Sequence, residues 1–379
     1  MIFSKTYHEN GGFISPMQCK KWFPALLIAL IMLLPIGAMA HASAPATSFI
    51  RIRAAATPKP AKTPKPTKTP KPTATPQPTV RPVNIPTLPP TNEKGFLKEG
   101  EFVYENTDEG LWMYASPTLK VQIERVKDPN KVLVWYEAEI WSDIDAGEKF
   151  AAVPFDKEKW GEAKHVEPER IAAENKVVFG MNTDYYTYRT ASKGTLMVGI
   201  ILRDGKIISE KTSVYPRFRF PPLDTLALLP DGSMDVYRSD EKTVQQYIDM
   251  GVKDVFAFGP ILVRNGKTNP DVLEFSYGQT KQPRCAIGMI EPGHYYAVLV
   301  EARLKKESVG VSVPELMDMM LAGGCQTALN LDGGQTAVML FMGKQVTRIG
   351  SYSGGKTSPR STTEIIGIGR SEQVAPWEE

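Results

Sequence analysis

Three observations predict an α+β fold, a largely antiparallel twisted sheet flanked by a few helices and preceded by a Pro-rich linker. Apolar and polar residues alternate with period two in many short runs, Asp-Gly turns join several of those runs, and only two stretches show helical spacing. Strands and helices do not alternate regularly, which argues against a parallel α/β sheet.

The chain of 379 residues opens with a leader. Lys20 and Lys21 precede an unbroken apolar run from Trp22 to Leu34, and Ala38-Met39-Ala40 supplies the small residues of a signal-peptidase site. The same run is nearly long enough to span a bilayer, so residues 1–40 are expected to be a signal peptide or a membrane anchor. Both outcomes place the remainder outside the cytoplasm, extracellular or anchored on the outer face of the cytoplasmic membrane.

Residues 41–94 form the linker. From Ala56 to about Pro90 the pattern "TPKPAKTPKPTKTPKPTATPQPT" repeats. Proline fixes φ, removes a donor and biases its predecessor to extended geometry, and no apolar side chains offset the entropy of ordering. A polyproline-like spacer follows, and at ~3.1 Å per residue some 35 residues reach on the order of 100 Å. Residues 1–94 carry 12 Lys/Arg against 2 acids, whereas the remainder holds 33 against 40. The basic excess therefore sits in leader and linker, and nucleic acid is not an expected partner.

The folded part is expected over 95–379. "KVQIERV" and "KVLVWYEAEIW" alternate as half-buried strands. "LMVGIILRDGKIIS" and "TLALLPDGSMDVY" each read as strand, Asp-Gly turn, strand. "SDEKTVQQYIDMG" predicts a short helix from a Ser/Asp start to a glycine stop. "VSVPELMDMMLAGG" predicts another, with Ser312 as cap, Pro314 in the first turn and Gly323 at the end. Cys285 and Cys325 sit beside apolar residues, as either two buried thiols or a disulfide.

The four histidines are scattered, and no phosphate loop, Cys-x-x-Cys or nucleophile elbow appears. What remains is a set of acids, amides and arginines beside glycines. In "ALNLDGGQTAVMLF", Asn330 and Asp332 share a strand face, Gly333 and Gly334 can take positive φ and present N–H groups to an anion, and Thr336 adds a hydroxyl. Taken alone, Asp-Gly between two apolar runs reads more readily as a hairpin turn. In "VVFGMNTDYYTYR" a strand arrives at Asn182 and Asp184, followed by Tyr185, Tyr186 and Tyr188, which suit a carbohydrate site or simply a strand. Arg284 enters an apolar strand in "PRCAIG", where an arginine needs a structural carboxylate or a substrate anion. "VLVEARLKK" ends a buried strand in Glu301 and Arg303, and "SPRSTTEIIGIG" brings Arg360 to a last strand.

Together and in order, these segments resemble the phosphodiester glycosidase family, the N-acetylglucosamine-1-phosphodiester alpha-N-acetylglucosaminidase-like domain found in many exported bacterial proteins. Asn330-Leu331-Asp332-Gly333-Gly334 is similar to that family's late Asn-Leu-Asp-Gly-Gly-Gly-Ser-Ser. Met181 to Tyr186 resembles its early Ile-Asn-Gly-(Gly/Asp)-Phe-Phe, "GPILVRNG" its Gly-Pro-x-Leu-Val-x-x-Gly, and "PRCAIG" its Pro-Arg-Thr-Ala-Ile-Gly. "VEAR" stands for the usual Val-Asp-Gly-Arg. The resemblance covers roughly residues 115–370. Departures fall at Thr183, Ala302 and Gln335, where the family has glycine, and these could narrow a cleft.

The resemblance implies an exported glycosidase that hydrolyses a sugar-1-phosphodiester at the anomeric C1–O bond, with a carbohydrate phosphodiester of the cell envelope or an extracellular polysaccharide as substrate. Asp332 is the leading carboxylate, Glu301 or Asp184 its partner, and Arg284 the phosphate ligand, with Arg303 or Arg360 in reserve. Asn182, Asn330 and Thr336 would bind substrate through sugar hydroxyls or orient the acids, and the Gly333 and Gly334 amides would assist at the phosphate. No cofactor is required by the sequence; a carboxylate cluster can hold a divalent cation, though no spacing demands one. The alternative is a non-catalytic module that binds or assembles wall polysaccharide with the same cleft.

Overall fold

The computed structural model describes residues 84–160, 164–184, 199–211, 223–274, 276–351 and 355–378. The leader, the Pro-rich repeat, and Tyr185, Tyr186 and Tyr188 lie outside them. Thr91 bridges Leu97, so paired backbone begins four residues ahead of Gly95.

Strands follow the chain as β1 (Phe102–Asn106), β2 (Leu111–Ala115), β3 (Leu119–Asp128), β4 (Leu133–Ser142), β5 (Ala151–Pro154) and β6 (Val177–Met181). Then come β7 (Gly199–Arg203), β8 (Lys206–Lys211), β9 (Asp224–Leu228), β10 (Met234–Tyr237), β11 (Asp254–Phe258), β12 (Ile261–Arg264) and β13 (Lys267–Thr268). The last six are β14 (Arg284–Glu291), β15 (His294–Val300), β16 (Thr327–Leu331), β17 (Met339–Phe341), β18 (Lys344–Gln345) and β19 (Glu364–Arg370). Four α-helices are described: α1 (Pro168–Glu174), α2 (Val244–Asp249), α3 (Asp271–Glu274) and α4 (Val313–Ala322).

The strands make three antiparallel sheets rather than one. The first runs β1-β2-β3-β4-β15-β14-β16-β12-β13, the second β10-β9-β11-β7-β8 and the third β18-β17-β6-β19-β5. Burial explains the layering. In β3 the pattern alternates, and Val121 and Ile123 turn to the main core. That core also takes Leu226 and Phe256 from the second sheet and Phe179 and Ile366 from the third. The first sheet thus lays one face across both smaller sheets. Its other face, with Ala286, Val298 and Ala328, is covered by Val313, Leu316, Met317 and Met320 of α4. Helix α1 covers the third sheet through Ile171 and Ala172, and α2 covers the second through Val244 and Tyr247.

Both expected Asp-Gly hairpins form, β7–β8 and β9–β10. Helix α4 is capped as its sequence implies, with Ser312 and Glu315 in a reciprocal capping box. Helix α2 starts later than "SDEKT" suggests. Its cap is Thr243, because Gln246 lies three residues on and closes a second capping box, a partner that Ser239 and Asp240 lack. Cys285 and Cys325 are buried free thiols.

Candidate active site

The stretch around Asp332 is not a hairpin. β16 belongs to the first sheet and β17 to the third, so residues 332–338 carry the chain from one sheet to the other. Two apolar runs that look like partners pair instead with strands far away in sequence, β16 with β14 and β12, β17 with β6.

This crossing gathers strand ends. The C-terminal end of β16 pairs antiparallel with the N-terminal end of β14, with Cys285 opposite Leu331 and Ala286 opposite Asn330. Arg284 and Asp332 flank the Cys285–Leu331 pair, and Asp332 lies within electrostatic reach of Arg284. Val300, the last residue of β15, pairs with Arg284 on its other side. The N-terminal end of β12 joins through Gly259, whose N–H donates to the Asn330 carbonyl at 3.0 Å, while Asn330 Nδ2 donates to the Gly259 carbonyl at 2.8 Å. From the third sheet Asn182, just beyond β6, donates through Nδ2 to the Asp332 carbonyl at 2.7 Å.

Two buried polar atoms at this junction have no hydrogen-bond partner, Arg284 Nε and Asn330 Oδ1. Arg284 is 5% exposed and its Nη2 donates to the Thr280 carbonyl at 3.1 Å. Burial pulls its pKa down, Arg303 adds to that fall, and Tyr277, Cys285 and Asp332 oppose it. A buried guanidinium N–H without a partner can donate to an acceptor, and a buried amide oxygen without one can accept from a donor. An anion that also bears hydroxyl groups satisfies both.

The expected site residues divide into those gathered here and those employed elsewhere. Arg284, Asp332 and Asn330 meet at the β14–β16 end. Arg303 stands within electrostatic reach of Arg284 and donates to Gln282 Oε1 at 2.5 Å. Arg360 Nη1 lies 3.2 Å from Thr336 Oγ1, and its backbone N–H donates to the Gln335 carbonyl, which ties the two expected binding residues together.

Four expectations need correction. Asn182 does not present its amide to a ligand: Oδ1 accepts from Val338 N–H at 3.0 Å and from Cys285 Sγ at 3.3 Å, so it braces the site floor. Asp184 does not share a face with it, because β6 ends at Met181 and strand alternation ends there too. Its carboxylate is buried against Arg203 and the Ala257 N–H. Glu301 follows Val300 onto the opposite face, where Oε2 meets Arg348 Nη2 at 2.8 Å and Oε1 accepts from the Arg348 N–H at 2.7 Å. Of the two glycines, only Gly334 has positive φ, at 66°, and its N–H is already spent on the Pro283 carbonyl. Gly333 is required for space, since a Cβ there would lie 2.5 Å from that same carbonyl oxygen. The expected anion nest is therefore reduced, and the guanidinium groups carry the positive field.

Arg203 and Arg348 were not singled out in the sequence. Arg203 is fully buried, bridges Asp184 to Glu364 Oε1 (2.7 Å), donates to two main-chain carbonyls and lies 4.3 Å from the Phe256 ring centroid. Its signal is the one read at Arg284, an arginine at the end of an apolar strand. Asp224, also unremarked, accepts from Ile261 N–H at 2.9 Å and Ser239 N–H at 3.3 Å. Burial pushes its carboxyl up to about 6 against those two bonds. It fixes the start of β12, hence Gly259 and Asn330. Among the described residues no group of three or more His, Cys, Asp or Glu gathers as a metal site.

The profile of the family described as phosphodiester glycosidase matches residues 175–368, half of the chain. The chain belongs to the phosphodiester glycosidase family. The matched span holds every strand end described above, from β6 to β19. A prophage-derived uncharacterized protein of Bacillus subtilis strain 168 is 28% identical over 159 residues, 42% of this chain and 24% of that protein, so this chain spans about a quarter of that relative's length. Two solved structures are also similar. The catalytic domain of zebrafish N-acetylglucosamine-1-phosphodiester alpha-N-acetylglucosaminidase, auto-inhibited by its pro-peptide, has a TM-score of 0.45 and 15% identity, with 72% of this chain and 83% of that one covered. A hypothetical protein from Synechocystis has a TM-score of 0.43 and 11% identity, with 67% and 62% covered.

The family glycines replaced here leave no strained backbone. None of Thr183, Ala302 and Gln335 is among the described residues with positive φ. All three side chains are buried in protein, and Gln335 Nε2 donates to the Ser358 carbonyl. They are packed rather than projected, so they do not crowd a cleft.

Proposed function

We propose that this phosphodiester glycosidase domain hydrolyses a sugar-1-phosphodiester of an envelope or extracellular polysaccharide, carried outward by its leader and spacer. The observation that supports this most is the orphaned Arg284 N–H within electrostatic reach of Asp332. The two groups offer a guanidinium for a phosphate and a carboxylate for the sugar.

The chemistry suits a site with one committed acid. An alcohol leaving group needs a proton from a second carboxylic acid, whereas a phosphomonoester departs as a stable anion. Asp332 takes a proton from water as the water oxygen bonds to C1. The C1–O bond breaks, and its electron pair leaves with the phosphate held by Arg284. Arg303, and the linked Arg360 and Thr336, add positive charge and a hydroxyl to the same mouth. Asn330 Oδ1 accepts from a sugar hydroxyl, while Asn182 holds the Asp332 main chain still.

A non-catalytic polysaccharide-binding module is the second reading. It is favoured by the fact that Asp184 and Glu301, the two other expected acids, are paired with arginines. A chromogenic sugar-1-phosphodiester incubated with the full chain separates the readings. Turnover that falls ~30- to 1,000-fold in Asp332→Asn and in Arg284→Ala supports the hydrolase. Saturable binding with no release of sugar supports the module.

A further inference from the structure

A second cavity lies away from the strand ends just described. It opens at the far ends of β6 and β19, where Val177 pairs with Arg370, and along the edge strand β5. Val177 and Asn182 are five positions apart, roughly 16 Å of extended chain. Its volume of about 420 Å³ falls in the lower part of the range for small-ligand sites.

The lining is mixed in a particular way. Trp160 supplies an aromatic wall, and the β5 residues Ala151 to Val153, with Val177, supply an apolar strip. Glu148, Asp204 and Asp254 bring three carboxylates, and Lys149, Lys157 and Arg370 bring three cations. The acids are partly held by the fold: Asp254 accepts from Ala152 N–H at 3.3 Å and Asp204 N–H at 3.0 Å, and Glu148 from Thr118 Oγ1 at 3.1 Å. Lys149 reaches the Pro230 carbonyl. Asp204 also lies 3.8 Å from Lys253 Nζ, and Lys157 and Arg370 are exposed.

Balanced charge decides the class of ligand. A free phosphate entering here meets three carboxylates along with the cations, so no net field favours it. A neutral polyhydroxy ligand meets both acceptors and donors, with an aromatic and aliphatic wall for its C–H face. We propose that this cavity is a second carbohydrate-binding site, taking one or two neutral sugar rings of a glycan chain. It does not depend on catalysis at Asp332 and would hold polymer whether or not the first cleft turns over.

The test uses the full chain carrying Asp332→Asn, titrated calorimetrically with linear tetrasaccharides of N-acetylglucosamine, glucose and mannose. At least one is expected to bind saturably. Trp160→Ala should weaken that binding about tenfold or more, as loss of an aromatic wall implies. Because Trp160 is largely buried, the pair of exposed replacements Lys157→Ala and Arg370→Ala is measured alongside and should weaken it by about three- to tenfold. Arg284→Ala should leave it unchanged. Absence of binding by all three tetrasaccharides overturns the proposal. So does binding that survives both cavity variants and is lost in Arg284→Ala, or displacement of the glycan by inorganic phosphate in the cavity.

Discussion

Asn182 and Asp332, 150 positions apart, are joined by a 2.7 Å hydrogen bond from a side-chain amide to a main-chain carbonyl. That bond fastens the third sheet to the end of β16 and fixes where the Asp332 carboxylate stands. Asn182→Ala removes it along with the acceptor used by Val338 and Cys285. The buried Val338 N–H loses its partner, while the Asp332 carbonyl and the Cys285 thiol keep each other at 3.2 Å, so the loss should be about 1–3 kcal/mol of stability. Urea unfolding of the variant checks this; a midpoint equal to that of the parent would show the brace to be idle.

Arg203 ties the adjoining residue Asp184 to Glu364. Replacing it with leucine leaves two buried carboxylates facing each other without a cation, and a loss of about 3–5 kcal/mol is expected. Arg203→Lys should be milder but still destabilising, since one ammonium cannot serve two carboxylates and two carbonyls in a planar fork. Denaturant unfolding of both variants gives the order.

The pH dependence of stability carries a signature of Asp224. Its folded pKa, about 6, lies above its unfolded value of 3.8. The native state therefore binds the extra proton, and this residue's contribution falls as pH rises from about 4 to 6 and is flat above. The size is roughly 3 kcal/mol. Asp224→Asn lacks that slope, so the stability of the parent relative to the variant should decline between pH 4 and 6. A difference that is constant, or that grows with pH, would mean the carboxyl is not held high.

Gly333 tests the close approach at the crossing from β16 to β17. Gly333→Ala pushes a methyl against the Pro283 carbonyl and should displace the residue before Arg284. Overpacking of this kind costs about 1–3 kcal/mol. Denaturant unfolding measures the loss, and a Gly333→Ala midpoint equal to that of the parent would remove the role given to Gly333.

Much of the first sheet was legible because β3 and the second half of β4 largely alternate, and α4 because its cap, proline and glycine stop are all local. What the sequence could not show is partner choice. The runs flanking Asp332 look like a hairpin because Asp-Gly favours one, yet β17 pairs with β6 over 150 residues away, a choice made by burial between sheets. The same limit explains the acids. Asp184 and Glu301 have the residue type of a catalytic pair, but Arg203 at the end of β7 and Arg348 in the segment after β18 pair with them, and no spacing in the sequence announces that. Arg284 at the start of β14 and Asp332 just past β16 stand in recognisable motifs at apolar strand ends, and the pairing of β14 with β16 brings those ends together.

The most direct test follows the oxygen. The full chain is incubated with a sugar-1-phosphodiester in ¹⁸O-labelled water, and the products are weighed by mass spectrometry. Attack at C1 with phosphate as the leaving group puts the label in the sugar's anomeric hydroxyl and none in the phosphomonoester. Label found in the phosphate, or no turnover at all, contradicts the hydrolase built on Arg284 and Asp332.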